Sequence, residues 1–307
     1  MATVKPKIES AFDTIVVDKA KKIKLENFNA NFENEKIKVK SKKEAHEKAA
    51  QFLEESKEEL IEAQAKLWAD KKYGFLIVLQ GLDTAGKDGT IKHILSGVNP
   101  QGCRIEAFKT PTADEHLHTY LWRYQKVAPR RGEIVVFNRS HYEDILVTKV
   151  HPNFMEPLPE KLNVDSSKSF WENRYEDINA WEKHLARNGI LVLKFFLHIS
   201  QDEQTKRLLE RLSIDEKLWK VSPADLKERN FWDDYIKAYE DCIENTSAEH
   251  APWIVVPAND KKVARAIIAH IIADSIQKLD IDFPKLSKEE IEELRKAKIA
   301  LESEAKK

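Results

Sequence analysis

Five short, unbroken apolar runs punctuate this chain: FLIVLQ (75–80), CRIEAF (103–108), EIVVFN (133–138), ILVLKFFLHI (190–199) and WIVVP (253–257). A strand that is apolar along its whole length is buried on both faces, the condition of a parallel sheet sandwiched between helices. Helical patterns separate the runs. Over 41–72, Ala45, Ala49, Phe52, Leu53, Leu60, Leu67 and Trp68 recur at three- and four-residue steps. Over 168–187, Trp171, Tyr175, Ile178, Trp181 and Leu185 share one stripe, which stops at Asn188–Gly189, a good helix end. The alternation predicts an α/β fold: a parallel five-stranded sheet with helices on both faces and ligands at the carboxyl ends of its strands.

The rest of the chain divides around that core. Residues 1–72 form a lysine-rich arm or irregular lead-in (1–40) followed by a helical segment, 73–284 the core, and 285–307 a charged helix opened by a Ser287-x-x-Glu290 capping box. Thr112-x-x-Glu115 and Ser200-x-x-Glu203 have the same capping spacing, and Ser222–Pro223 reads as an N-cap with proline in the first turn. The stretch 200–250 is highly charged and holds two predicted helices; about 200–235 reads as a mobile lid. With 51 basic and 52 acidic residues the chain has a net charge of −1, so a polyanion must be met by a local basic cluster and no global field favours nucleic acid or membrane. The two cysteines form neither a disulfide framework nor a zinc site, and no apolar stretch is long enough to span a bilayer. A reduced cytoplasm is the expectation.

The stretch LQGLDTAGKDGT (79–90) carries the chemistry. Gly81, Gly86 and Lys87 have the G-x-x-x-x-G-K spacing of a phosphate-binding P-loop, set between a buried strand and a helix as such a loop requires. Where the pattern calls for Ser or Thr to hold a nucleotide's magnesium, this chain has Asp88. Gly81, Ala85, Gly86, Asp88 and Gly89 are the expected loop residues, with Lys87 on the phosphates and Asp88 opening the helix. Asp83 faces either a metal or the attacking phosphate oxygen; capping and solvent exposure are its bland alternatives. At the end of the third run, Asn138 offers a carbonyl oxygen to a metal, and Arg139 emerges where phosphates would lie. Glu143 either restricts or orients substrate. Arg207 and Arg211, four apart, share a helix face and either clamp a phosphoryl group or form a solvated charged face. Lys109 and Arg123 extend a basic track.

These stretches, with GVNPQGC, FKTPT, YLWRY, FNRSHYEDILVTKVHP, WKVSPADLKERNFWDDYIKAYEDCI and APWIVVPANDKKVARAIIAHII, resemble the family-2 polyphosphate kinases in order over roughly 75–280. In that family G-x-D-x-x-G-K-D-G is the usual loop, so Asp88 is no defect. The resemblance implies a P-loop kinase-like fold similar to thymidylate kinases, and reversible Mg²⁺-dependent transfer from inorganic polyphosphate to nucleotides. It also implies that Asp83 helps bind metal and orients the acceptor phosphate, that Lys87 binds phosphate, and that Arg139 belongs to the second motif and Arg207 and Arg211 to the lid region. Many members carry Asp where this chain has Asn138, and Asn there is similar to the subgroups that accept AMP. FNRSHYE is most similar to the third subgroup, which takes AMP to ADP and ADP to ATP; guanine nucleotides are further candidate acceptors. A homo-oligomer, dimer or tetramer, is expected. The alternatives are an ATP-dependent nucleoside monophosphate kinase and a non-catalytic polyphosphate-binding protein.

Overall fold

The computed structural model describes residues 3–9, 12–31, 42–155, 168–220 and 223–305. All five apolar runs are strands. They are β2 (Gly74–Gln80), β3 (Cys103–Ala107), β4 (Ile134–Asn138), β5 (Ile190–His198) and β6 (Trp253–Pro257). Pairing is parallel from β3 through β4, β2 and β5 to β6, so β2, which leads into the glycine loop 81–89, is central.

The sheet has six strands rather than the five expected from sequence. A two-residue strand, β1 (Val16–Val17), pairs antiparallel with β6 and makes the sheet mixed. Part of the predicted irregular lead-in thus covers the outer edge of β6. An uncovered edge presents unpaired backbone groups, and a two-residue segment satisfies some of them with too little periodicity to be read from sequence.

Alternate strand residues feed two separate cores, as a doubly covered sheet requires. Phe75, Ile77, Leu79, Val136, Leu193 and Val256 pack with α1 (Lys42–Asp70), α2 (Lys87–Ile94) and α9 (Lys261–Gln277). Leu76, Val78, Val135, Phe137, Val192 and Val255 face α4 (Glu143–Val150), α5 (Lys168–Arg187) and α8 (Trp232–Thr246). The predicted stripe of α5 is buried throughout, and Gly189 ends it at φ +84°. A single turn, α3 (Trp122–Gln125), follows β3.

The charged stretch after β5 holds three helices, not two: α6 (Gln201–Leu212), α7 (Pro223–Glu228) and α8. Ser222, the proposed cap of α7, lies outside the described residues. The tail helix α10 (Lys288–Glu304) opens with the reciprocal Ser287–Glu290 box. Thr112 and Glu115 also bond reciprocally, but they open only a three-residue 3-10 turn. At Ser200 the box is half-made: Ser200 caps Glu203 N, while the Glu203 carboxylate turns to Arg207. Among the described residues no helix is long and apolar enough to cross a membrane.

One feature of the second core is ionic. Lys194 of β5 and Glu182 of α5 are both fully buried, with Nζ–Oε2 2.6 Å. Lys194 also donates to the Tyr142 hydroxyl and to the carbonyl of Thr246, while Tyr142 donates to Glu182 at 2.7 Å and His141 Nε2 lies 3.2 Å from the same oxygen. Removing one partner strands a charge in the core. Glu182→Ala is therefore expected to cost about 3–5 kcal/mol of stability, whereas the paired replacement Glu182→Leu with Lys194→Met costs far less. Denaturant midpoints of the three proteins check this.

Candidate active site

The loops leaving β2, β4, β5 and β6 converge at the carboxyl edge of the sheet, where a doubly wound fold places its ligands. Between β2 and α2 the chain makes a tight loop whose geometry explains its glycines. A Cβ on Gly81 would lie 3.0 Å from Ala85 Cβ and 3.1 Å from the carbonyl oxygen of Leu197. Gly86, at φ +108°, occupies a conformation that side chains rarely adopt and forms the N-cap of α2 without a capping side chain. The first N–H groups of α2 have no acceptor within the helix, an arrangement suited to an anion.

Lys87 folds back across the loop: its Nζ donates to the carbonyl of Gly81 at 2.5 Å, with that of Leu82 at 3.4 Å. Burial and then the Arg139 guanidinium lower its pKa from the ordinary lysine value, so an anion beside it would be strongly favoured. Asp83 accepts from Arg139 Nη2 at 3.2 Å, and Arg139 Nη1 reaches Glu143 at 3.1 Å. Glu143, then Asp83, hold the guanidinium pKa above its usual value against the effect of burial. Arg139 sits at φ +63°, an uncommon left-handed conformation for a side chain of its size. That turn aims it away from the strand and over the loop, linking the ends of β2 and β4.

Asn138 donates its amide to Asp88 Oδ1 at 2.9 Å. Asp88 thus joins the end of β4 to the first turn of α2 and caps no backbone group of that helix. The arrangement fits the donor chemistry of a magnesium ion, which takes one or two carboxylates and fills its shell with phosphate and water. Asp83 and Asp88 each have a second carboxylate oxygen, and Asn138 has its amide oxygen. Among the described residues no cluster of three His, Cys, Asp or Glu could hold a metal by itself.

Arg207 has a different environment from the one its spacing suggested. It is 2% exposed and lies against the outer side of the loop. Its Nη1 donates to the carbonyls of Thr84 (3.1 Å) and Ala85 (2.9 Å), its Nη2 to those of Ala258 (2.6 Å) and Asn259 (3.1 Å), and its Nε to Glu203 (2.7 Å). Every donor group is spent on the protein. Thr84 stands at φ +67°, a strained setting for a β-branched residue, so the bonds to its neighbourhood hold a loop that would otherwise relax. Gln204, one turn along the same helix, donates to the carbonyl of Asp83 at 3.2 Å. Arg211 is half-buried in the last turn of α6. Arg123 donates to the carbonyl of Lys109 (2.9 Å), and its Nε lies 3.4 Å from Glu115. That pair stays at the β3 end of the sheet, and neither residue lines the cavity beside the loop.

This cavity is walled by Gly81, Asp83, Arg139 and Glu143 on one side and by Glu228, Arg229 and Tyr235 on the other. Sequence reasoning passed over Arg229, whose neighbours in LKERNFW look like any solvated charge run. In the fold it is half-buried, its Nη2 donates to the Thr205 hydroxyl, and its Nε is buried without a partner. The adjacent Glu228 is engaged elsewhere, accepting from the Tyr235 hydroxyl at 2.9 Å and lying 2.8 Å from His151 Nε2. Arg229 lines the cavity, and among the described residues no carboxylate forms an ion pair with it, in contrast to Arg139.

Comparison with known proteins follows the same pattern. The model of the polyphosphate kinase 2 family (PPK2) matches residues 40–284. The chain is 44% identical over 271 residues to an ADP-polyphosphate phosphotransferase of Rhodopseudomonas palustris, covering 86% of this chain and 93% of the relative. It is 43% identical over 226 residues to an AMP/ADP-polyphosphate phosphotransferase of Meiothermus ruber, covering 74% and 80% respectively. Among solved structures it resembles polyphosphate kinase 2 from Arthrobacter aurescens, with a TM-score of 0.76 at 36% identity over 94% of this chain and 95% of that one.

Two outcomes are expected from the geometry. If Arg207 is the loop's tie, Arg207→Lys, with three donors on one nitrogen, cannot keep the five contacts of the guanidinium on both loops; thermal stability should then fall by about 2 kcal/mol or more along with activity. Loss of kcat at unchanged melting temperature would return Arg207 to a role on the phosphates. The second outcome concerns Asp144, which accepts from the Tyr124 hydroxyl at 2.7 Å and whose pKa burial raises to about 6. A raised carboxyl contributes stability that is present below its unfolded pKa and lost as pH climbs through the folded one. The wild type should therefore lose stability relative to Asp144→Asn between about pH 4 and pH 6. Denaturation midpoints across that window, read as the difference between the two proteins, check the sign.

Proposed function

The chain belongs to the polyphosphate kinase 2 family, and from that membership we propose how its own residues carry out the reaction. It is a polyphosphate-dependent nucleotide kinase, moving a phosphoryl group between inorganic polyphosphate and a nucleotide. We propose that it accepts both AMP and ADP, as the name of the Meiothermus ruber relative states for that protein, that the transfer is reversible, and that guanine nucleotides are further acceptors.

The observation that carries the site assignment is the meeting of Asp83, Arg139 and the Lys87 loop at one cavity, with Arg229 on the facing wall. Phosphoryl transfer asks little covalent chemistry of a protein and much positioning and charge neutralisation. Lys87 and the N–H groups opening α2 hold phosphate. Arg139 lies where an incoming phosphate would displace its carboxylate partners, and those carboxylates then become available to a cation. A magnesium ion, held by Asp83 with Asn138 or Asp88, would supply further charge neutralisation on the phosphates. Asp83 also orients the attacking oxygen of the acceptor. Arg229 closes the site from the side of α7 and α8.

We propose the lid within about 200–235, with the first two turns of α6 excluded from its motion because Gln204 and Arg207 bind the loop. Movement then falls on the segment after α6 that brings Arg229 to the cavity. Closure of this kind excludes water, which matters because hydrolysis competes with transfer.

The test is an assay of purified protein with long-chain polyphosphate, Mg²⁺ and AMP, ADP, GMP or GDP in turn, the nucleotides being separated. Products from AMP and ADP are expected; failure with AMP would restrict the enzyme to diphosphates. Lys87→Ala and Asp83→Asn should each lower kcat by about 10²-fold or more with native far-UV spectra. Arg229→Ala should lower kcat by about tenfold or more while nucleotide affinity changes little, the pattern of a contact made mainly in the transition state. An Arg229→Ala enzyme with wild-type kcat would remove that residue from the machinery.

A further inference from the structure

Arg229 is flanked in the chain by two residues that meet one imidazole. Proline disfavours the helical conformation in the residue before it, and ahead of Pro152 the chain leaves α4 at His151 with φ −126° and ψ 80°. The His151 ring then meets the segment after α7. Its Nε2 lies 2.8 Å from Glu228 Oε2. Its face meets the edge of Phe231, with ring centroids 4.7 Å apart. A carboxylate only accepts, so the imidazole Nε2 donates. The same Glu228 oxygen accepts from the Tyr235 hydroxyl at 2.9 Å. Burial, and then the bond to Glu228, raise the Tyr235 pKa above the ordinary tyrosine value, so that hydroxyl stays a donor.

The place of Glu228 makes this restraint consequential. It precedes Arg229 in the chain, and both line the same cavity. The Arg229 Nε is buried without a partner. Rotation of the Glu228 side chain toward the cavity would bring a carboxylate to that guanidinium, and charge-assisted pairs of this kind are strong when water is partly excluded. The cation would be neutralised, and an anion would stand where phosphate enters. One helix thus treats two arginines in opposite ways. Glu143, in the first turn of α4, pairs with Arg139; His151, just past the last turn, draws Glu228 toward itself.

We propose that His151 is a positioning residue for phosphoryl transfer: by holding the Glu228 carboxylate at the end of α4, it keeps that carboxylate off Arg229 and leaves the guanidinium charge for the transferring phosphoryl group. The inference rests on the reading of Arg229 as a contact of that group. His151 itself touches no substrate. Its effect is electrostatic and passes through one carboxylate, so cancelling the charge of that carboxylate should make the imidazole dispensable.

Two substitutions separate the donor from the ring. His151→Phe keeps an aromatic ring against Phe231 and removes the donor, whereas His151→Gln keeps an N–H donor and removes the ring. His151→Phe should lower kcat about five- to tenfold, no further than Arg229→Ala, while KM for ADP moves less than about twofold; His151→Gln should keep at least about half the activity. Adding Glu228→Gln to His151→Phe should bring kcat back to within about twofold of wild type, which a purely structural imidazole would not allow. Adding His151→Phe to Arg229→Ala should cost less than about a further twofold. The nitrogen NMR signal of the Arg229 Nε–H, identified by its absence from Arg229→Ala, reads the pairing without turnover: it should shift in His151→Phe and return when Glu228→Gln is added. Wild-type kcat in His151→Phe, a loss that Glu228→Gln does not recover, or an unmoved Arg229 signal would each overturn the inference. Wild-type kcat in Arg229→Ala with the signal still shifting would sink the reading of Arg229 alone, and the restraint on Glu228 would stand.

Discussion

The site hangs on one buried guanidinium. Arg207 gathers the carbonyls of Thr84 and Ala85 on one side and those of Ala258 and Asn259 on the other, tying the loop after β2 to the loop after β6. A guanidinium suits this because its N–H groups diverge in a rigid plane and stay charged at any physiological pH. Each bond to a charged donor stabilises more than a neutral one, and together they offset the strain of Thr84 at φ +67°. Spending the loop's carbonyls on Arg207 leaves the N–H groups that open α2 without an acceptor in the helix.

A second anchor lies under the other half of the site. Arg139 must leave β4 in a left-handed turn, and the residues that follow it are pinned below. Ser140 accepts from the buried Gln80 amide at 3.1 Å, while His141 and Tyr142 enter the Glu182–Lys194 network. On the near side, Asn138 is held to Asp88. With both neighbours fixed, the Arg139 side chain is delivered over Asp83 and Glu143. The buried ion pair is therefore understood better as a device that fixes one turn than as a source of net stability, since buried pairs often contribute little of the latter.

The legible and illegible parts separate cleanly by range. FLIVLQ, EIVVFN and WIVVP announce buried strands because every residue is apolar, and the α5 stripe is visible because its spacing is helical. The loop declares itself through Gly81, Gly86 and Lys87, and Arg139 through its place at a strand end. Arg207 and Arg211 were legible as one helix face, but their spacing says nothing of what that face meets. The half-made box at Ser200 fails for the same reason: Glu203 prefers the cation on its own helix to the backbone. Arg229 sits in a run of charges with no periodic signal, and β1 has only two residues with which to signal.

By itself the sequence determined the layered α/β architecture, the order of its strands along the chain and the position of the phosphate loop, because periodicity and glycine spacing act within a few residues. Tertiary structure alone decided which arginine supports the loop and which one lines the cavity. Arg207 is claimed by carbonyls 123 and 51 residues away in sequence, at Thr84 and Ala258; Arg229 reaches the cavity. A guanidinium has the same composition whether it is a strut or a binding group. What separates the two is the number of its donors already satisfied by distant backbone, and only the folded chain brings that backbone near.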